Sequence, residues 1–272
     1  MDDTGRHPDC YPKAALVTGA ARRIGRALAL DLSRQGYAVC IHYKTSAADA
    51  GALVKAIEEA GGRAVALRAD LVQEEGPPDL FREARMRLGP IGVLVNNASV
   101  FGYDDIACAG RESWEAHLDL NLRAPLVLTQ AFAEALPPGY GGAVVNMIDA
   151  RVLRPTPRYL SYTVSKAGLW ALTQSLARAL APCVRVNAIG PGPVLPPGGQ
   201  SAAAFAARCR RLPLRRPADL PEICAALRFL LAAKSVTGQL LTLDGGDRLA
   251  DDLREEGLFP ASFGRLTGDT AA

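Results

Sequence analysis

Short apolar runs of β-type residues alternate with amphipathic helical stretches along almost the whole of this sequence. Parallel strands are joined by crossover connections that usually contain a helix, so this alternation indicates a parallel sheet covered on both faces. We predict seven strands, at Ala14–Thr18, Ala38–Tyr43, Ala64–Arg68, Gly92–Asn96, Ala143–Ile148, Arg185–Ile189 and Gln239–Leu243. We predict helices between them at Ile24–Gln35, Ala47–Ala60, Asp79–Leu88, Ser113–Leu136, Tyr159–Ala181, Ser201–Arg211 and Ala218–Leu231.

The domain organisation follows from the same pattern. A chain of 272 residues with 49% apolar content is large enough to bury a full core, and it contains neither an internal repeat nor a low-complexity linker. We therefore predict a single α/β domain at residues 13–248, with a doubly wound seven-stranded parallel sheet. Residues 1–12 are expected to form a disordered arm. Residues 249–272 form a tail rich in Gly, Asp and Thr, for which disorder and packing on a neighbouring subunit are both open.

Charge and cysteine usage narrow the class of protein. The net charge is +3 and no long Lys/Arg run is present, which argues against a nucleic-acid partner. No apolar run approaches the roughly 20 residues that a membrane helix needs, and the polar start Met1–Arg6 is unlike a signal peptide. The six cysteines are scattered without a C-x-x-C pair. We interpret them as reduced thiols and expect a cytoplasmic protein that acts on a small molecule.

The turn after the first strand has the composition of a phosphate-binding loop. It reads Thr18-Gly19-Ala20-Ala21-Arg22-Arg23-Ile24-Gly25 and opens a helix, so small residues let a pyrophosphate approach the helix N-terminus. An ordinary tight turn is the alternative. Arg23 stands where a third glycine is expected, and its side chain either contacts a phosphate or ligand ring or is a solvated surface arginine.

The end of the second strand indicates which dinucleotide is bound. Sites that prefer NAD place an acid here, whereas this strand ends in Ile41-His42-Tyr43-Lys44-Thr45-Ser46, a set suited to a 2′-phosphate. We therefore expect NADPH as the cofactor. The alternative for His42 is a strand-end residue packed on the adenine. Asp70-Leu71, after the third strand, either binds the adenine amino group or forms a turn cap.

Several polar residues are predicted to meet where the later strands end. Tyr162 and Lys166 lie one helical turn apart, so the ammonium is expected to lower the pKa of the phenol and make it a proton donor. Asp149 follows the fifth strand. The remaining members of this set are Asn96-Asn97-Ala98-Ser99 at the end of strand four, Asn121 on the long helix, and Pro191-Gly192 at the end of strand six.

These motifs, together with Asp244-Gly245-Gly246, resemble the short-chain dehydrogenase/reductase family over residues 14–247. The resemblance implies a Rossmann fold, a nicotinamide cofactor, hydride transfer and a homotetramer. It also implies that Tyr162 is the acid, that Lys166 lowers its pKa and holds the cofactor ribose, and that Asn121 holds a water for proton relay. It assigns the loop, Asn97, Ala98, Ser99, Pro191 and Gly192 to the cofactor.

Departures from the common family pattern resemble its pteridine reductase branch. Most members carry Ser where this chain has Asp149, and Arg23, the His42–Ser46 strand end and Asn97-Ala98-Ser99-Val100-Phe101 agree with that branch. In that branch, an aromatic residue at the position of Phe101 stacks a pterin ring against the nicotinamide. The residue at the position of Ser99 helps to hold the pterin, and the residue at the position of Arg23 contacts both the cofactor phosphate and the pterin. Ordinary core packing is the alternative for Phe101.

The chemistry of Asp149 agrees with this resemblance. A dihydropterin is reduced at a ring C=N bond, so its proton goes to nitrogen, and a carboxyl group beside the Tyr162 phenol can supply or relay that proton. A strand-end cap is the alternative for Asp149. We therefore expect an NADPH-dependent reductase of dihydropterins or dihydrofolate. An NADPH-dependent carbonyl or 3-oxoacyl-thioester reductase is the second hypothesis, and a non-catalytic NADP-binding regulator is the third.

Overall fold

A seven-stranded, all-parallel sheet forms the centre of the protein. The computed structural model describes residues 10–196, 199 and 201–250. The strands are β1 (Ala14–Val17), β2 (Ala38–Tyr43), β3 (Ala64–Arg68), β4 (Val93–Asn96), β5 (Gly142–Met147), β6 (Val184–Pro191) and β7 (Leu240–Leu243). Their spatial order is β3-β2-β1-β4-β5-β6-β7. The chain therefore reverses its winding direction between β1 and β4, and in such sheets ligands bind beyond the carboxyl ends of the strands at this point.

Helices cover both faces of the sheet and carry the site residues. They are α1 (Arg23–Arg34), α2 (Ala47–Glu59), α3 (Gly76–Leu88), α4 (Arg111–Leu118), α5 (Ala124–Ala135), α6 (Leu160–Ala179), α7 (Ala202–Arg210) and α8 (Leu220–Ala232). Shorter turns occur at Ala150–Leu153 and Asp247–Leu249, where the helix is of the 3₁₀ type. The predicted fold, a single Rossmann-type α/β domain with a doubly wound parallel sheet, is confirmed.

Two helix predictions need correction. The third helix begins at Gly76 rather than Asp79, because prolines occupy its first turn, where a missing N–H costs no hydrogen bond. The long helix predicted at Ser113–Leu136 consists of α4, a π-helical turn at Asp119–Arg123, and α5. Such π turns interrupt helices mostly at functional positions, and this one carries Asn121.

The core consists of two apolar layers, one on each face of the sheet. Alternate residues of β1 serve opposite layers: Ala15 and Val17 belong to one cluster, and Ala14 and Leu16 belong to the other. This is the two-residue period of a strand, and all four side chains are buried because helices pack on both sides. The sheet is therefore a rigid platform whose carboxyl edge positions the site.

The chain already contacts the domain at Cys10 and Pro12, before the predicted domain boundary. Pro12 is buried, and its backbone approaches Gly92 so closely that a Cβ there would lie 2.2 Å from the Pro12 carbonyl oxygen. The Cys10 carbonyl accepts a hydrogen bond from the Gly141 N–H at 3.0 Å. The last three residues of the predicted 1–12 arm thus belong to the domain, whereas residues 1–9 and 251–272 lie outside the described residues.

Arg185 on β6 fastens the end of α8 to the sheet. Its guanidinium donates to the carbonyls of Leu230, Leu231 and Ala233 at 2.8, 3.0 and 3.1 Å. It also donates to the Val236 carbonyl at 2.9 Å and to the Tyr11 hydroxyl at 2.7 Å. The last carbonyls of a helix have no partner within the helix, and a cation there also complements the helix dipole.

None of the helices in the described part of the chain has both the length and the apolar composition needed to cross a membrane.

Arg185→Met is expected to lower the free energy of unfolding by about 3 kcal/mol, because partly buried carbonyls lose a charged donor. Urea unfolding of the variant and the wild-type protein measures this difference. Arg178→Met, which makes the same replacement at an exposed position of α6, is the matched control and should change stability by less than about 0.5 kcal/mol. Equal unfolding midpoints for the wild-type protein and Arg185→Met would contradict the role given to Arg185.

Candidate active site

The loop between β1 and α1 packs against the end of β4 at distances that require glycine. Gly19 has φ +60°, and a Cβ there would lie 3.0 Å from the Ala98 Cα. A Cβ on Gly25 would lie 2.4 Å from the Gly19 carbonyl oxygen. The hydroxyl of Thr18 accepts from the backbone N–H groups of Asn97 and Ala98, both at 2.9 Å. The β1 and β4 ends are therefore locked together.

The N-terminus of α1 is open to an anion. Its N-cap residue, Arg22, makes no side-chain cap, and the first turn contains no acidic residue. The first N–H groups of a helix lack partners within it and carry the positive end of its dipole. Together with the glycine cradle, this end has the properties that a pyrophosphate needs, so the residues present fit a dinucleotide.

Arg23, the departure from a glycine loop, has φ +53°, in the left-handed region that glycine normally occupies. This explains why a glycine is expected at its position. The guanidinium is exposed, yet it donates to the carbonyls of Pro196 at 3.0 Å and Leu195 at 3.4 Å. Arg23 is therefore not a free surface arginine. It connects the phosphate loop to the segment after β6.

A cleft of ≈ 400 Å³ lies at the switch point between β1 and β4. It gathers most of the predicted cofactor-binding residues, since it is lined by residues 19, 21–25, 42–46, 69–72, 97–99 and Leu120. Thr18 is buried behind it. The Pro191–Gly192 pair lies instead beside β7, where a Cβ on Gly192 would come within 2.8 Å of the Asp244 Cα. The cofactor contact expected of these two residues stays a prediction.

Two cations border the cleft at the end of β2, and each has an acidic partner. Lys44 forms an ion pair with Asp70 at 2.8 Å, and this contact lowers the pKa of Asp70. Arg22 pairs with Asp49 at 2.9 Å and also donates to the Ser46 hydroxyl. The other oxygen of Asp70 accepts from the Val72 N–H at 3.4 Å, which is the turn-cap arrangement.

His42 differs from its predicted role in phosphate binding. The ring is buried, its Nδ1 accepts from the Gly19 N–H at 3.0 Å, and its Nε2 faces the Ala69 carbonyl at 3.2 Å. Burial lowers the pKa of His42 to about 4. A neutral ring with both nitrogens engaged offers a phosphate no charge. His42 therefore holds the phosphate loop on the strand, an arrangement that strand position alone did not reveal.

Acidification is expected to destabilise the protein through His42. The unfolded chain binds a proton near pH 6.5 and the folded ring only near pH 4, so this stabilisation is complete above pH 6.5 and lost as the pH falls toward 4. Between pH 7 and pH 5 the loss is about 2 kcal/mol. His42→Asn keeps an acceptor for Gly19 and does not titrate. Urea unfolding at the two pH values should show a smaller loss for the variant, and identical losses would contradict this role.

Tyr162, Asp149 and Lys166 meet beyond the ends of β5 and β6. The Tyr162 hydroxyl donates to Oδ2 of Asp149 at 3.1 Å. The Lys166 Nζ donates to the Met147 carbonyl at 2.9 Å and lies 5.9 Å from the centre of the Tyr162 ring. The other oxygen of Asp149 accepts from the Arg151 N–H at 2.8 Å, so Asp149 both caps the 3₁₀ turn and reaches the phenol.

The expected lowering of the phenol pKa by Lys166 is not observed. Burial raises the pKa of Tyr162 well above its ordinary value, and the charge and hydrogen bond of Asp149 raise it further, whereas Arg151 acts in the opposite direction. Burial also lowers the pKa of Lys166 to about 8, against the effect of Asp149. The prediction was wrong because spacing along a helix indicates proximity but not the desolvation that dominates here.

Asn121 is buried in the π-helical turn, and protein groups occupy its side chain. Oδ1 accepts from the Val100 N–H at 2.9 Å and the Ser99 hydroxyl at 3.0 Å. Nδ2 donates to the Val100 carbonyl and the Ser165 hydroxyl, both at 3.1 Å. The amide thus holds the segment between β4 and Phe101 in place. A relay water, predicted for Asn121, would have to use its backbone carbonyl, and this stays a prediction.

An aromatic wall adjoins the Tyr162–Asp149 pair. Phe101 stacks on Tyr159 with ring centres 4.5 Å apart, and its ring meets Tyr162 edge-on at 4.7 Å. Because 47% of Phe101 is exposed, it is not an ordinary core residue. Tyr159 has φ +58°, directly before α6, and sequence reasoning did not assign it a role.

A buried polar cluster beneath this wall was also missed. His117 accepts from the Gly102 N–H at 3.0 Å through Nε2, and its Nδ1 lies 2.7 Å from the Ser161 hydroxyl. Asp104 accepts from the Ser161 N–H at 3.1 Å and from the Ser113 hydroxyl at 3.0 Å. The cluster ties the loop that carries Phe101 to α4 and α6. Its members are distant in sequence, so no local pattern pointed to them.

A family model and a solved structure both match this chain over most of its length. The family model described as "Enoyl-(Acyl carrier protein) reductase" matches residues 19–247. The structure is similar to that of FolM alternative dihydrofolate reductase 1 from Brucella canis complexed with NADP. The TM-score is 0.88 and the identity 40%, over 92% of this chain and 100% of that one.

Two curated proteins are similar to this chain in sequence. An uncharacterized oxidoreductase of Methylorubrum extorquens is 35% identical over 246 residues, which is 87% of this chain and 98% of the relative. The 3-oxoacyl-[acyl-carrier-protein] reductase of Synechocystis sp. is 32% identical over 238 residues, covering 86% and 96%. The solved structure and the Synechocystis relative are thus named for different substrates, and the Methylorubrum relative is named for none.

Proposed function

The chain belongs to the short-chain dehydrogenase/reductase family, and from this premise we propose that it is an NADPH-dependent reductase of dihydropterins or dihydrofolate. The single observation that carries the proposal is the hydrogen bond from the Tyr162 hydroxyl to Asp149, at 3.1 Å. A carboxyl group beside the phenol suits a substrate whose proton is taken up by a ring nitrogen.

The cleft at the β1–β4 switch point supports NADP(H) as the cofactor. The pyrophosphate would lie on the loop from Gly19 to Gly25 and the uncapped start of α1. Lys44, Arg22 and Ser46 would hold the 2′-phosphate. Lys44 and Ser46 come from the end of β2, where residues 42–46 contain no acid, and Arg22 comes from the loop before α1. The NADP in the related Brucella canis structure supports the same assignment.

Lys44→Ala is expected to raise KM for NADPH about tenfold and to leave KM for NADH within about twofold, because only NADPH carries the 2′-phosphate. Initial rates at varied cofactor concentration measure both constants. Lys55→Ala, which removes an exposed lysine of α2 paired with Glu59, is the matched control. An equal change of both constants would contradict a 2′-phosphate contact by Lys44.

In this reaction, side chains of the protein donate the proton and hold a positive charge near the proton donor. NADPH held in the cleft would supply the hydride for the carbon of the substrate's C=N bond. The Tyr162 hydroxyl would give its proton to the adjoining nitrogen. The carboxylic acid form of Asp149, which lies within hydrogen-bond distance, would then pass its own proton to the phenolate oxygen and keep the negative charge as a carboxylate. Lys166, held by the Met147 carbonyl, would bind the cofactor ribose and keep a cation beneath the Tyr162 ring.

The wall beside the pair supports a flat heteroaromatic substrate. Phe101 has about half of its surface exposed and stacks readily on other rings, as it does on Tyr159. Ser99, at the rim, and Arg23, in the loop, are the polar groups that we assign to the edge of the pterin. The similarity to the Brucella canis alternative dihydrofolate reductase supports this substrate class.

A second candidate function is reduction of a carbonyl group or a 3-oxoacyl thioester. The similarity to the Synechocystis 3-oxoacyl-[acyl-carrier-protein] reductase favours it, and the Tyr162 hydroxyl would serve a carbonyl oxygen equally well. In that case Asp149 would be a tolerated variant of the usual serine.

Initial rates of NADPH oxidation separate these candidates. The panel contains a dihydropterin, dihydrofolate and a β-ketoacyl thioester, with the purified full chain as enzyme. We expect turnover of the first two and little of the third. Turnover of the thioester alone would overturn the pterin proposal and favour the second candidate. Normal NADPH binding without turnover of any carbonyl or pterin would instead indicate a non-catalytic NADP-binding protein.

A further inference from the structure

Arg151 is attached to the same carboxyl group as the Tyr162 phenol. Its backbone N–H donates to Oδ1 of Asp149 at 2.8 Å, while Tyr162 donates to Oδ2 at 3.1 Å. Arg151 lies in the short 3₁₀ turn that begins directly after Asp149. A shift of this turn would therefore move the carboxyl group relative to the phenol.

Neutral groups hold the side chain of Arg151 on Tyr159, part of the aromatic wall that adjoins the pair through Phe101. The guanidinium carbon lies 5.1 Å from the centre of the Tyr159 ring, which is a cation–π contact, and NH1 donates to the Thr156 hydroxyl at 2.8 Å. Its Nε is buried and has no hydrogen-bond partner among the described residues. Within that part of the chain no carboxylate forms an ion pair with Arg151, so its positive charge is not neutralised by one.

This charge acts on the proton-donating pair. Burial and Asp149 raise the pKa of Tyr162, and Arg151 lowers it. When the pair gives up a proton, it gains a negative charge in a partly desolvated place. A fixed cation stabilises such a charge more strongly there than it would in water.

We propose that Arg151 is a positioning residue of the reductase, which holds the Asp149 carboxyl group through its backbone and stabilises the negative charge left on the Tyr162–Asp149 pair through its guanidinium. The inference deepens the proposed function and rests on it only in taking this pair as the proton donor. It holds whether the acceptor is a ring nitrogen or a carbonyl oxygen.

Arg151→Met and Arg151→Lys test the role of the charge. Single-turnover rates with saturating NADPH should fall about tenfold in Arg151→Met, and Arg151→Lys should recover to within about threefold of the wild-type rate. The dissociation constant for NADPH, followed by fluorescence, should change by less than about twofold in both. Arg111→Met removes an exposed cation of α4 and is the control for net charge.

Three results would overturn the proposal. One is a rate for Arg151→Met within twofold of the wild-type rate. Another is a lysine variant as slow as the methionine variant although its NADPH affinity is normal. The third is a rise in KM for dihydrofolate alone, with kcat unchanged, which would make Arg151 a ligand of the folate carboxylates. All variants are compared on whichever substrate the wild-type protein reduces. If the wild-type protein reduces only the thioester, the pterin proposal fails, but the role of Arg151 can still be tested with the thioester.

Discussion

Asp149→Ser is expected to lower kcat for a dihydropterin by about 10²-fold or more, because the substrate nitrogen loses the carboxyl group that shares its proton. The dissociation constant for NADPH should remain within about twofold, since Asp149 does not line the cofactor cleft. Serine can still cap the 3₁₀ turn through its hydroxyl, so the change removes the acid and keeps the local fold. Initial rates and NADPH titration measure the two effects.

A second variant at the same position separates the acid from the hydrogen bond. Asp149→Asn keeps an acceptor for the Tyr162 hydroxyl and cannot supply a proton, so it should be as slow as Asp149→Ser. Leu153→Ala, which shortens an exposed side chain of the same 3₁₀ turn, is the control for general disturbance of this region. Unchanged dihydropterin turnover in Asp149→Ser would exclude Asp149 from the reaction.

Tyr162→Phe is expected to lower kcat by about 10²- to 10⁴-fold, because it removes the proton donor itself. The ring remains, and with it the edge-on contacts to Phe101 at 4.7 Å and His117 at 5.9 Å. The thermal midpoint should therefore stay within a few degrees of the wild-type value, and NADPH should still bind. A Tyr162→Phe enzyme with more than a tenth of the wild-type kcat would contradict proton donation by Tyr162.

Combining the two changes tests whether the residues act as one unit. If Tyr162 and Asp149 deliver a single proton together, Asp149→Ser in the Tyr162→Phe background should cost far less than it does alone. Rates of the two single variants and the double variant complete the cycle. Full additivity would show that the groups act in separate steps, against the interpretation of their hydrogen bond.

The architecture could be predicted because it depends on patterns that are local in sequence. Alternating apolar strands and amphipathic helices determine a parallel sheet, and the position of a motif between a strand and a helix determines where the site lies. The phosphate loop, the end of β2 and the end of β4 therefore converged on one cleft as expected. The expected homotetramer stays a prediction.

The electrostatics of the site could not be predicted in the same way. His42 was expected to face a phosphate, but its ring is neutral because it is buried between Gly19 and Ala69. Lys166 was expected to lower the pKa of Tyr162, but burial reverses the direction. Spacing places two groups near each other, whereas desolvation depends on every element packed around them.

The missed residues share one physical reason. Tyr159 and Arg151 matter because they pack on each other, because Tyr159 stacks on Phe101, and because the Arg151 N–H donates to Asp149. His117 and Asp104 matter because they meet Ser161 from distant parts of the chain. None of them lies in a recognisable motif, and only the tertiary structure brings them together.

The most direct test of the central proposal, that this enzyme reduces the ring C=N bond of a pterin, is an internal competition. A dihydropterin and a β-ketoacyl thioester are mixed at equal concentration with wild-type enzyme and NADPH that carries deuterium at the transferred position, and the products are followed by mass spectrometry. We predict that deuterium appears on the carbon of the reduced ring bond while the thioester stays unlabelled. Deuterium on the thioester product, with the pterin unlabelled, would contradict the proposal.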